Sequence, residues 1–206
     1  MIKELSYKVV GWQVRKGIIA KEESRMYEYG YEIFICQVIN ILMALIVAFL
    51  FRYYLVLIFL FAYIPLRTYA GGDHASSSER CMMVSMVILL AISIFGKYIL
   101  AGDIGKVFYL FEIPAAAIIG LMAPVECNNK PLEEDEVRKY RKCAHMIAGA
   151  EVLTAYLLFI WGKQEISNMI VVTHVVMAGA LVVGKMKLKR VFNQGGRYGS
   201  KTVKVD

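Results

Sequence analysis

His74 and Cys81 stand in the densest concentration of reactive groups in the sequence, the stretch RTYAGGDHASSSERC from Arg67 to Cys81. A thiol of ordinary acidity is mostly protonated at neutral pH, and becomes a good nucleophile only beside a base or a positive charge. Imidazole is the side chain best suited to that role. On one straight helix the two residues would share a face but lie about 10 Å apart along the axis, too far for direct proton transfer. A working pair therefore requires the segment to fold back. Gly71 and Gly72 supply a turn, because glycine accepts backbone angles closed to other residues. Ser76, Ser77 and Ser78 favour helix caps, so a new helix is expected to start here with Cys81 in its first turn, where a thiolate feels the positive end of the helix dipole. The opposing reading is an unreactive polar loop between two membrane helices, with Cys81 an ordinary buried residue.

The elements that must hold this stretch are apolar. The chain has 206 residues, 58% of them hydrophobic, with a mean hydropathy of +0.53, and its apolar residues gather into long runs. That composition describes an all-α integral membrane protein. No cleavable signal peptide is expected, because charges are scattered through the first 30 residues. The net charge of +7 bears on orientation and anionic lipid, and nucleic-acid binding is discarded. Cys36, Cys81, Cys127 and Cys143 form no common zinc pattern.

Residues 1–30 contain an amphipathic helix, with Ile2, Leu5, Val9 and Trp12 at helical spacing. It either lies in the membrane interface or packs on the rest of the protein. Residues 31–184 hold six apolar runs: Ile33–Phe51, Tyr53–Tyr69, Met82–Leu100, Val107–Pro124, Ala144–Trp161 and Met169–Val183. Gln37 and Asn40 give the first a polar stripe expected to face other helices. Glu112, Glu151 and His174 fall within the later runs, and ionisable residues at that depth are either functional or paired across helices. Pro124 to Cys143 is a polar loop leading into a solvated helix start, and 185–206 is a basic tail. The whole reads as one polytopic domain.

The stretch from Arg67 to Cys81 resembles the active-site motif of AgrB proteins: R-x-x-x-G-G-x-H between two spans, then C seven residues later. The segment Pro124 to Leu132, P-V-x-x-x-N-K-P-L, is a second likeness, and the length and hydropathy of the chain are a third. AgrB proteins are membrane cysteine peptidases of Gram-positive bacteria that process AgrD pheromone precursors in quorum sensing. The resemblance implies that Cys81 is the nucleophile and His74 the general base. It also implies that a Cys or Ser of the peptide closes a thiolactone or lactone on the acyl-enzyme. Arg67 occupies a motif position, where it would bind the acidic substrate tail or fix the loop. Gly71, Gly72 and Ser78 would shape the site; the oxyanion stabiliser is unassigned, backbone amides near Ser78 to Cys81 being the simplest donors. No third member is evident, Asp73, Glu79, Glu112 and Glu151 all being candidates. The implied partners are an AgrD-like precursor peptide and membrane lipid, with a homodimer admitted and no cofactor or metal.

Two other readings stay open. His74, Cys81, Cys143 and His145 could bind zinc, although their spacing is not a usual one. A peptide exporter without enzymatic activity would account for the spans and for Glu112, Glu151 and His174, but gives the Arg67–Cys81 stretch no purpose.

With the amino terminus inside, the inner segments hold 20 of the 24 Lys and Arg residues. Both termini, His74 and Cys81 are accordingly expected on the cytoplasmic side, where thiols stay reduced. A reporter fused after Asp206 should be active only as a cytoplasmic reporter; activity of an exported one would overturn this topology.

Overall fold

Without water, a backbone N–H or C=O in an apolar run finds its partner within its own helix. A computed structural model of the chain describes residues 2–51, 53–72, 78–100, 107–125 and 134–199, with the backbone alone at 78, 79, 81, 99, 100 and 190–199. Its principal helices are α1 (Ile2–Arg15), α2 (Ser24–Phe51), α3 (Val56–Ala70), α4 (Ser78–Phe95), α5 (Glu112–Met122), α6 (Glu134–Ile160) and α7 (Gln164–Gly199). All six apolar runs fold as apolar helices. Those at Lys21–Phe51, Glu134–Ile160 and Gln164–Lys189 are long and apolar enough to cross a membrane, and Val56–Ala70, Met82–Tyr98 and Tyr109–Met122 are shorter. The protein is an all-α membrane protein.

The chain divides into two compact units: Met1–Tyr53 with Ala75–Ser93, and Tyr54–His74 with Ile94–Asp206. In the first, α1 lies against α2 through Ile2, Ser6 and Val10, while Gln13 Nε2 donates to the Tyr31 hydroxyl at 2.7 Å. The apolar stripe expected on α1 is therefore divided. Ile2 is buried, whereas Leu5 and Trp12 remain exposed. The physical reason is that α1 carries apolar residues on two faces, and α2 covers the face spaced by four.

In the second unit α7 is the central helix, packed by α3, α5 and α6. Of its membrane-length window 61% is buried, against 11% for α6, so α7 forms the middle and α6 a flank. The core at their junction contains Leu66, Ile119, Val125, Met177 and Leu181 with six alanines, Ala70 and Ala123 among them. Small side chains let helix backbones approach closely where apolar surroundings give no hydrophobic drive to associate. α7 also continues helical through Gly199, into the segment expected as a basic tail.

Gly71 ends α3 with φ +70°, and Gly72 follows with φ +108°. A Cβ on Gly71 would overlap the Val125 carbonyl, and one on Gly72 would meet both the Arg67 guanidinium and the Ala180 carbonyl. Gly71→Ala should therefore lower stability by at least about 2 kcal/mol, combining a left-handed backbone with a clash against main chain. Gly149→Ala, where nothing lies within 4 Å, should instead stabilise α6 by about 0.5–1 kcal/mol. Thermal unfolding in detergent, followed by circular dichroism, compares them; equal midpoints would mean that the turn is not pinned.

Candidate functional site

The segment before His74 is held from three sides. Arg67, in the last turn of α3, donates from Nη1 to the Gly71 carbonyl, so its charge sits at the helix carboxyl terminus where the dipole favours it. Val125 N–H donates to the Ala70 carbonyl at 3.0 Å, and Gly72 N–H donates to the Val125 carbonyl at 3.2 Å. These bonds form a short parallel bridge between Gly71 and Val125. On the remaining side Gly72 packs against the backbone of α7 at Ala180. The bond from Arg67 thus ties the end of α3 to the Gly-Gly turn. The bridge also joins the Gly-Gly turn to the start of the Pro124–Leu132 segment. That contact had no signal in spacing or composition.

Cys81 lies on α4, which is helical from Ser78 onward among the described residues; the residues just before it lie outside them. Cys81 and Ser78 are known here as backbone positions, and His74 and Asp73 lie outside the described residues. Arg67, Gly71 and Gly72 are brought together; the Cys81–His74 pair has no described geometry. The zinc reading shares that gap at His74 and at the side chain of Cys81. Its other two members are described. Cys143 is a free thiol, and the ring of His145 hydrogen-bonds through Nε2 to the Gly120 carbonyl at 2.9 Å. Among the described residues no group of three or more His, Cys, Asp or Glu side chains could hold a metal ion.

The ionisable residues of the later spans do meet. His174 on α7 is fully buried, with Nδ1 2.6 Å from Glu112 Oε1 and Nε2 2.9 Å from Glu151 Oε2. Each contact needs one hydrogen, so three side chains from α5, α6 and α7 share at least two protons, and each polar group gains a partner it would lack alone in apolar surroundings. Because the carboxylates lie on opposite edges of one imidazole, the group is a strut between helices rather than a chelating site. His174 is six positions before Ala180, roughly 9 Å along α7. Neither glutamate is therefore positioned by this helix at the Gly-Gly turn. Of the two expectations for ionisable residues at this depth, the geometry shows pairing across helices, and the three pair with one another.

A helical membrane protein with a glycine turn of this kind, set between Arg67 and Cys81, defines a class, and the chain's relatives define the family. The model of the Accessory gene regulator B family matches residues 6–181, and the chain belongs to the AgrB family. It is 32% identical over 145 residues to an AgrB-like protein of Clostridium perfringens (strain 13 / Type A), covering 66% of this chain and 64% of that protein. The AgrB-like protein of C. perfringens strain SM101 matches with the same identity and coverage. The chain thus spans slightly less than two thirds of these relatives' length. No solved structure matches.

His174→Ala should strand two buried carboxylates and destabilise the fold by about 3–5 kcal/mol. Replacing Glu112, Glu151 and His174 together by leucine should cost less, since no charge is left without a partner. Denaturant unfolding of the purified protein measures both; a His174→Ala protein as stable as the parent would mean that the strut carries no load.

Proposed function

We propose that the protein is a membrane cysteine endopeptidase that cleaves an AgrD-like precursor and promotes its cyclisation, with Cys81 as nucleophile and His74 as general base on the cytoplasmic side. The observation that carries this reading is that the AgrB match runs through the whole R-x-x-x-G-G-x-H and C motif, from Arg67 to Cys81. The serine run ahead of Cys81, residues of the kind that favour helix caps, supports it.

In this reaction the Cys81 Sγ attacks the carbonyl at the end of the pheromone segment. His74 takes the thiol proton and returns it to the leaving amine as the C–N bond breaks. A thiol or hydroxyl within the peptide then attacks the thioester, its proton leaves through His74, and Cys81 departs as thiolate. Forming a thioester from an amide is uphill, whereas exchange for a second thioester is nearly neutral, so the free energy is conserved only where water is kept from the acyl-enzyme. Arg67, Gly71, Gly72 and Ser78 shape the site without entering the chemistry.

Cys81→Ala and His74→Ala should each abolish cleavage of a co-expressed precursor while the protein stays in the membrane. Changes at Cys36, Cys127 or Cys143 should be mild. Activity should resist chelators and be lost to iodoacetamide; full activity of Cys81→Ala would end the cysteine-peptidase reading. With purified protein in lipid, excess carboxyl-terminal fragment should suppress cyclic product. Product formation indifferent to the fragment would remove the thioester-exchange step even with Cys81 essential.

A further inference from the structure

α6 changes character along its length. From Glu134 to Lys142 it is charged, and from Ala144 to Ile160 it is almost wholly apolar. At the boundary Arg138, Arg141, Lys142, His145 and Met146 line a shallow groove of about 460 Å³. Their spacing by three and four places them on one helix face. All five are exposed.

The charge in this groove is unevenly used. Arg138 pairs with Asp135 at 3.4 Å, and the His145 ring is tied to the Gly120 carbonyl of α5. Arg141 and Lys142 have no ion-pair or hydrogen-bond partner among the described residues. Close by along the helix, Tyr140 packs edge-on against Tyr69 at 5.7 Å, an aromatic pair of the kind that marks a membrane–water interface.

The same face continues as an exposed apolar strip through Met146, Gly149, Leu153 and Tyr156. Gly149 leaves a dip in it, since nothing lies within 4 Å of where a side chain would start. Met146 to Tyr156 rises roughly 15 Å, one leaflet of a hydrocarbon core about 30 Å thick. Two cations with no partner among the described residues, followed on one face by an apolar strip one leaflet long, match an amphiphile with an anionic head.

We propose that this face of α6 is a binding site for an anionic phospholipid, its phosphate held by Arg141 and Lys142 and an acyl chain lying along Met146, Gly149 and Leu153. A zwitterionic headgroup would bring its own cation against the two arginine and lysine charges. An acidic peptide would match the charges but leave the apolar strip uncovered. The site is independent of the peptidase reading and uses none of its residues.

Native mass spectrometry of the full chain in a neutral detergent, titrated with phosphatidylglycerol or phosphatidylcholine, tests it. Phosphatidylglycerol should bind at least about fivefold more tightly than phosphatidylcholine, and R141Q/K142Q should weaken it about 25-fold, roughly fivefold per charge. The double variant K185Q/K189Q, which removes the same charge from the later half of α7, should change it less than about twofold. Glycerol phosphate, which has the head without the chains, should not compete at equal concentration. Equal affinity for the two lipids, an equal loss in K185Q/K189Q, or effective competition by glycerol phosphate would each overturn the site. So would displacement of the lipid by hexaglutamate at micromolar concentration, which would make a peptide the better occupant.

Discussion

Three helices that are apolar over most of their surface have little reason to stay together in a membrane, and the contact that gives α5, α6 and α7 a reason is a single imidazole. His174 holds Glu112 with one ring nitrogen and Glu151 with the other. Each glutamate alone would be too costly to bury, and the histidine alone would find no partner on its own helix. Only one rotation and one height of each helix satisfies all three. Specificity of packing, more than stability, is what such a group contributes, since an apolar replacement of all three would bury equally well.

That registration serves the alanine-rich junction one to two turns further along α7. There Ala70, Ala123 and Val125 share one buried cluster with Met177, Ala178 and Leu181. Close backbone approach at this level lets the end of α3 exchange hydrogen bonds with the segment that follows α5. A larger residue at Ala70 or Ala178 would separate the helices, and with them the Gly-Gly turn from Val125. The turn before His74 is thus held by main chain and by small residues, and the Arg67 guanidinium donates back to the Gly71 carbonyl at the end of its own helix.

Much of this was legible in the sequence because hydropathy reports burial in lipid directly. The six apolar runs, the glycine turn after α3 and a helix that carries Cys81 all follow from residue type. Boundaries were less legible. α6 is already helical at Glu134, ten residues before its apolar run, because the acids and bases there are compatible with a helix whether or not lipid surrounds them. α7 runs past its apolar part because Lys, Met, Leu and Arg are strong helix formers whether or not lipid surrounds them. The division of the α1 stripe was hidden, since spacing locates apolar residues on a helix but not which neighbour covers them. Contacts between distant segments, Gly71 with Val125 and His174 with its two glutamates, leave no trace in spacing at all. For the candidate site, residue chemistry named Arg67, Gly71, Gly72, His74, Ser78 and Cys81, and the described geometry accounts for the first three.

The helices of the second unit are of very unequal length. α3 has 15 residues and α5 has 11, rises of roughly 22 and 16 Å, while the apolar helix at Gln164–Lys189 rises roughly 39 Å. A bilayer cannot match all three. Hydrophobic mismatch costs fractions of a kcal/mol per Å, which favours a dimple in the lipid on the side of the short helices. Gly72 abuts Ala180, nine residues before Lys189, so a dimple on that side would set the turn below the level of the surrounding headgroups. A peptide adsorbed on the membrane would reach such a floor by sliding in two dimensions. Its encounter rate would then follow its density per unit area of lipid, and a bilayer made thicker or stiffer would slow it without any change in the protein.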